Sequence, residues 1–116
     1  MDTKPYTFVR DLLAEAPVPG RGILSQVLSR EDGVEFSLFA FAPGEALSEH
    51  TSSRPAIIHV LRGDADIVLD GDAHEGTAGT WLHMAAGTPH SIAARTPLVM
   101  ALYLLPRPAP DDRAGA

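Results

Sequence analysis

The chain has 116 residues, 45% of them apolar, and a formal charge of −6 from nine basic and fifteen acidic side chains. That is the length of one domain able to bury about two thirds of its unfolded surface, and no run approaches the ~18 to 20 apolar residues of a membrane helix. One lysine (Lys4) and eight arginines are scattered singly, which argues against a nucleic-acid partner, and the lack of cysteine removes disulfides, thiolate metal sites and a thiol nucleophile.

Residues 1–19 read as an N-terminal arm. Charges at Lys4, Arg10, Asp11 and Glu15 and the want of an apolar leader core make the cytoplasm the expected compartment. Within the arm, FVRDLLAEAP predicts either one or two helical turns stopped by Pro17 and Pro19, or an extended segment lying on a sheet edge. From Gly20 onward, apolar runs alternate with Gly, Pro, Asp and Ser about every eight to twelve residues, the spacing of an all-β sandwich or barrel.

Strands are expected over Ile23 to Ser29, Val34 to Ala42, Ala56 to Arg62, Asp66 to Leu69, Ala73 to Glu75, Thr80 to Ala85, Ser91 to Ala94 and Leu98 to Leu105. In VEFSLFA, Val34, Phe36 and Leu38 fall on one face and Glu35 and Ser37 on the other. LVMALYLL is apolar on both faces, which predicts a central strand covered on each side. Asp70-Gly71 predicts a two-residue hairpin turn with positive φ. The expected domain ends at residue 105, and residues 106–116 are Pro, Ala and charge, an expected mobile tail.

Two segments then fall into one pattern. In GEALSEHTSSRPAIIHVLRG, Gly44, five residues, His50 and the closing Gly63 are in register with the first motif of the cupin superfamily; in GTWLHMAAGTPH, Gly79, Gly87 and His90 match the second, with Ala85 where proline is usual. The resemblance spans about residues 20 to 105 and implies a small antiparallel jelly-roll barrel, often a homodimer, with a pocket between its sheets. The turn pattern points to the same class independently. A homodimer is also expected because the doubly apolar strand needs a cover on its outer face.

In that family a metal is usually held by the two histidines of His-x-His, a glutamate and the second-motif histidine. Carried over residue by residue, these positions are His50, Ser52, Ala56 and His90, so two of the four ligands are missing. Two imidazoles alone imply at most a weakly held divalent ion: manganese, iron, nickel or zinc. If Ala56 faces the pocket then Ile58 does too, and Ser52, Ala56, Ile58 and Met84 are its expected lining. His59 would then face away unless a bulge near Arg54-Pro55 flips the strand, and the face of His83 is open; both are kept as additional ligands. His74, beyond the hairpin, reads as a solvated surface residue. No nucleophile–base pair and no phosphate loop stands out, so catalytic residues are unassigned and enzymatic activity is left open. The expected function is a histidine-lined pocket for a small molecule, with or without a metal. The alternative is a metal-free ligand-binding or dimeric interaction module without catalysis.

Overall fold

The computed structural model describes residues 4–107. Nine strands, all paired antiparallel, make up its regular structure: β1 (Ile23–Glu31), β2 (Val34–Phe41), β3 (Ala46–His50), β4 (Ala56–Arg62), β5 (Ala65–Leu69), β6 (Asp72–Gly76), β7 (Trp81–Met84), β8 (His90–Ala94) and β9 (Leu98–Leu104). They form a five-stranded sheet in the order β1-β2-β9-β4-β7 and a four-stranded sheet in the order β3-β8-β5-β6. The fold is all-β and jelly-roll-like, as the turn spacing predicts. No helix among the described residues is long and apolar enough to cross a membrane.

The two sheets bury one core between them. Phe41, Ile58, Val60, Met84, Ile92, Leu98 and Met100 belong to it, with Phe39, Leu47, Leu69, Leu102 and Leu104 packed against it. Strand alternation fixes the rest. On β2, Phe39 and Phe41 point inward, so Ser37 does as well and is buried there, while Phe36, Leu38 and Ala40 face outward. The face of β2 that looks more apolar in sequence is thus the outer one.

That outer face has its own cover. Val99 and Ala101 of β9, with Leu38 and Ala40, are buried against Ala16, with Leu12, Val18 and Leu61 alongside, and Phe36 stacks on Tyr103 at 4.6 Å. The doubly apolar β9 is central, as its composition predicts, but the cover is the chain's own N-terminal arm. A second copy is therefore not needed to bury it. Among its described residues the arm is not helical. Asp11 Oδ1 accepts from the amides of Leu13 and Ala14, and two consecutive turns follow, Glu15 to Leu12 and Ala16 to Leu13, before Pro17 ends them. Two overlapping turns are too short to propagate a helix against proline.

The Asp70-Gly71 turn is as expected, with φ of 50° and 84° at the two residues and Leu69 facing Asp72 across the β5–β6 hairpin. The sequence reading did not anticipate β3: ALSEH has neither clean alternation nor an apolar run, and its partner β8 lies forty residues further on. The expected tail lies outside the described residues from position 108 on.

Candidate functional site

The β3–β8 pair carries an irregularity that decides where His50 points. Leu47 faces Ile92 across the ladder, and His50 faces His90, so three steps on β3 match two on β8. Leu47 packs into the core between the sheets. In a regular strand a residue three positions on would face the opposite side; the extra residue of this bulge restores His50 to the core side. No comparable bulge interrupts the start of β4 at Pro55, where Ala56, Ile57, Ile58 and His59 pair one for one with both neighbouring strands.

His90 reaches the same face by ordinary alternation, since Ile92 and Ala94 of β8 lie in the core. It follows a turn closed by hydrogen bonds from the Thr88 amide and hydroxyl to the Ala85 carbonyl. Gly87, at φ 84°, occupies the turn position that calls for the left-handed region, and its amide donates to the Ser52 carbonyl at 2.7 Å, tying the turn to the segment that enters β4. The turn in GTWLHMAAGTPH therefore does aim a histidine.

The two rings stand with their centres 4.2 Å apart and their planes inclined at 53°. His90 is buried at 7% exposure; His50 is open to solvent. Each ring is held in the same way: His50 Nδ1 lies 2.7 Å from the Ser48 carbonyl, and His90 Nδ1 lies 2.9 Å from the Thr88 carbonyl. A carbonyl only accepts, so in both rings Nδ1 carries the proton and the neutral ring presents Nε2 as a lone-pair donor. The Ser48 carbonyl belongs to the bulge, which leaves Ser48 without a partner in the ladder. One local distortion thus turns the ring inward and fixes its tautomer.

Of the other expected site residues, Ala56, Ile58 and Met84 share one buried cluster with Ile92 of the histidine strand, and Ala56 pairs with Met84. Ser52 is half-buried, its hydroxyl accepting from the Arg54 amide. His59 and His83 are not brought to the pair. His59 alternates with the inward Ile58 and Val60, and His83 stands exposed between the inward Leu82 and Met84, so both lie on the outer face of the five-stranded sheet. His74 is exposed on β6. Trp81 is 60% exposed, whereas Met84 is core.

Two further residues escaped the sequence reading. Ser37 is, with His90, one of two polar residues buried among those described; its signal is its shared parity with Phe39 and Phe41. Arg54 donates from Nε to the Leu105 carbonyl at 2.8 Å and from Nη2 to the carbonyls of Leu104 and Gly33, fastening the end of β9 and the β1–β2 turn beside the β4 entry. A lone arginine before proline gives no sequence signal for this. The main charge cluster lies elsewhere. Arg95 binds Asp66 and Glu75 on exposed positions of the four-stranded sheet, and its hydrogen bond holds the Asp66 carboxyl below the usual range.

The family model for the cupin domain matches residues 37–105, well over half of the chain. The chain is a cupin. Solved structures similar to this cupin include a conserved protein of unknown function from Streptococcus pyogenes (25% identity, 93% of this chain and 95% of the other, TM-score 0.79). A cupin superfamily protein from Desulfitobacterium hafniense is similar at 27% identity over 88% and 94% of the two chains, also with a TM-score of 0.79. KdgF from a Halomonas species shares the fold at 23% identity over 79% and 84%, with a TM-score of 0.67. No curated protein matches the chain in sequence.

A metal is a frequent cupin ligand, and the donor set here can be judged against it. Among the described residues no group of three or more His, Cys, Asp or Glu side chains comes together. The histidine pair supplies two nitrogens at most, on rings whose centres stand 4.2 Å apart. Serine and alanine in the remaining motif positions do not make up a resident centre of the usual three or four protein ligands.

Proposed function

We propose that this cupin binds a small molecule at the end of its intersheet core where His50 and His90 meet. The observation that carries the reading is the pairing of two imidazoles, ring centres 4.2 Å apart, whose Nδ1 atoms are both committed to carbonyls, leaving Nε2 of each ring as its acceptor. The inward side of the sheets is apolar: Leu69 faces His90 across the ladder, Leu47, Ala56 and Met84 belong to the core, and Ser37 is buried on the inner face of β2. Such a surface suits a small, largely apolar ligand with a hydrogen-bond-donating hydroxyl, which either Nε2 can accept. A divalent ion such as zinc, nickel, manganese or iron would find two donors, exchange readily and depend on its ligand for the rest. The pair offers no protein carboxylate or thiolate, and no catalytic role is assigned to it.

Titrating tag-free protein with zinc, followed by imidazole nitrogen NMR, tests this reading. The expected result is weak, one-to-one binding that shifts the Nε2 signals of both rings and leaves both Nδ1 protons in place. His50→Ala and His90→Ala should each abolish it, with His50→Ala sparing thermal stability because that ring is exposed. Binding that survives both substitutions, or Nε2 signals that do not respond, would remove the site.

A further inference from the structure

Two arginines share a cleft where the β1–β2 hairpin meets the entry to β4. It holds about 180 Å³, room for a molecule of a few heavy atoms, and is lined by Arg30, Gly33, Val34, Glu35 and Arg54. The sheet register brings the pair together: Arg30 faces Glu35 across the hairpin, Glu35 faces Leu104 of β9, and the Leu104 carbonyl lies 3.0 Å from Arg54 Nη2. Both guanidinium groups are anchored within the protein. Arg30 Nε donates to Glu35 Oε1 at 2.9 Å, and Arg54 donates from Nε and Nη2 to three backbone carbonyls. Among the described residues, Nη1 of Arg54 and both terminal nitrogens of Arg30 have no acceptor.

The carbonyls that hold Arg54 are neutral, so among the described residues no carboxylate meets its charge. Arg95 also lines a cleft, but there Asp66 and Glu75 lie against it. With Glu35 paired to Arg30, the charged side chains of the Arg54 cleft leave one net positive charge, and Glu31 and Asp32 of the same hairpin line a different cleft. We propose that the Arg54 cleft binds the carboxylate of a small organic acid, one oxygen accepting from Arg54 Nη1 and the other from a terminal nitrogen of Arg30. Charge-assisted bonds of this kind are the strong ones, and donors already held in place lose little side-chain freedom on binding. A single negative charge matches the cleft, whereas a dianion such as phosphate would be half neutralised and set beside the Glu35 carboxylate. The site shares no residue with the histidine pair and does not rest on the reading given for it.

Acetate titrated into the full tag-free chain at constant ionic strength, with chloride as the balancing anion, tests the site through the arginine Nε–H signals in NMR. Both Nε protons are hydrogen-bonded, which slows their exchange with water. The expected result is a saturable one-to-one shift of the Arg30 and Arg54 signals, with a Kd on the order of millimolar and the Arg95 signal unmoved. Arg30→Gln should weaken binding at least about 10-fold, the worth of one charge-assisted hydrogen bond. The Arg30 side chain is 70% exposed, so this variant should melt like the native chain. Arg95→Gln removes the same charge at a distant place and should bind acetate as the native chain does. A response that never saturates, an Arg30→Gln variant that binds like the native chain, an equal loss in Arg95→Gln, or phosphate binding more tightly than acetate would overturn the assignment.

Discussion

Gly63→Ala is expected to leave the protein unfolded or to cost more than about 4 kcal/mol, beyond the usual range for a point substitution. Gly63 joins β4 to β5 and adopts φ 91°. A Cβ there would lie 2.0 Å from the Pro97 carbonyl oxygen, 2.9 Å from its carbon and 3.0 Å from Leu98 Cα. All three are backbone atoms, so no side chain can turn aside. Nor can the backbone retreat easily. The Asp64 amide donates to Thr96 Oγ1, the Arg95 amide donates to the Asp64 carbonyl, and Leu98 begins the most deeply buried strand of the core. Gly71→Ala is the internal standard. Its φ is 84° and nothing lies within 4 Å, so it should cost only the ~1 to 2 kcal/mol of a left-handed alanine. Urea denaturation of the two variants measures the difference, and a Gly63 variant no less stable than the Gly71 variant would contradict the steric account.

Arg54→Ala should destabilise by about 2 to 3 kcal/mol, the scale of hydrogen bonds from a charged donor after allowance for partial solvent access. One guanidinium serves the carbonyls of Leu105, Leu104 and Gly33, two of them at the end of β9 and one in the β1–β2 turn. Removing it strands those acceptors where water reaches them only partly. Arg54→Lys should recover less than half of the loss, because an ammonium lacks the planar fork that faces several carbonyls at once. Thermal melting of both variants checks this, and full rescue by lysine would show that charge alone suffices.

How much of this was legible beforehand differs from strand to strand. β4 could be read but for its entry: without a bulge at Pro55, Ala56, Ile58 and Val60 share a face, and they do, which leaves His59 on the other side. The two-sided burial of β9 was equally plain, but its composition could not say that Leu12, Ala16 and Val18 of the chain's own arm supply one of the two covers. The face of His83 was unreadable because Trp81, Leu82, His83 and Met84 offer a bulky side chain at every position; packing chose Leu82 and Met84. For the histidine pair, local pattern was silent on β3. The inward aim of His50 depends on a distortion set by pairing with β8, a contact between distant parts of the chain that no local window contains. Only the resemblance of spacing around Gly44 and His50 hinted at it.

The bulge at Ser48 and Glu49 makes the spacer between Gly44 and His50 an odd–even address. Deleting one residue from it would leave every atom of the imidazole chemistry encoded and yet deliver the ring to the wrong side of the wall, whereas most single replacements within the spacer would keep its delivery intact. In this protein the length of that segment, more than its letters, carries the instruction for the site.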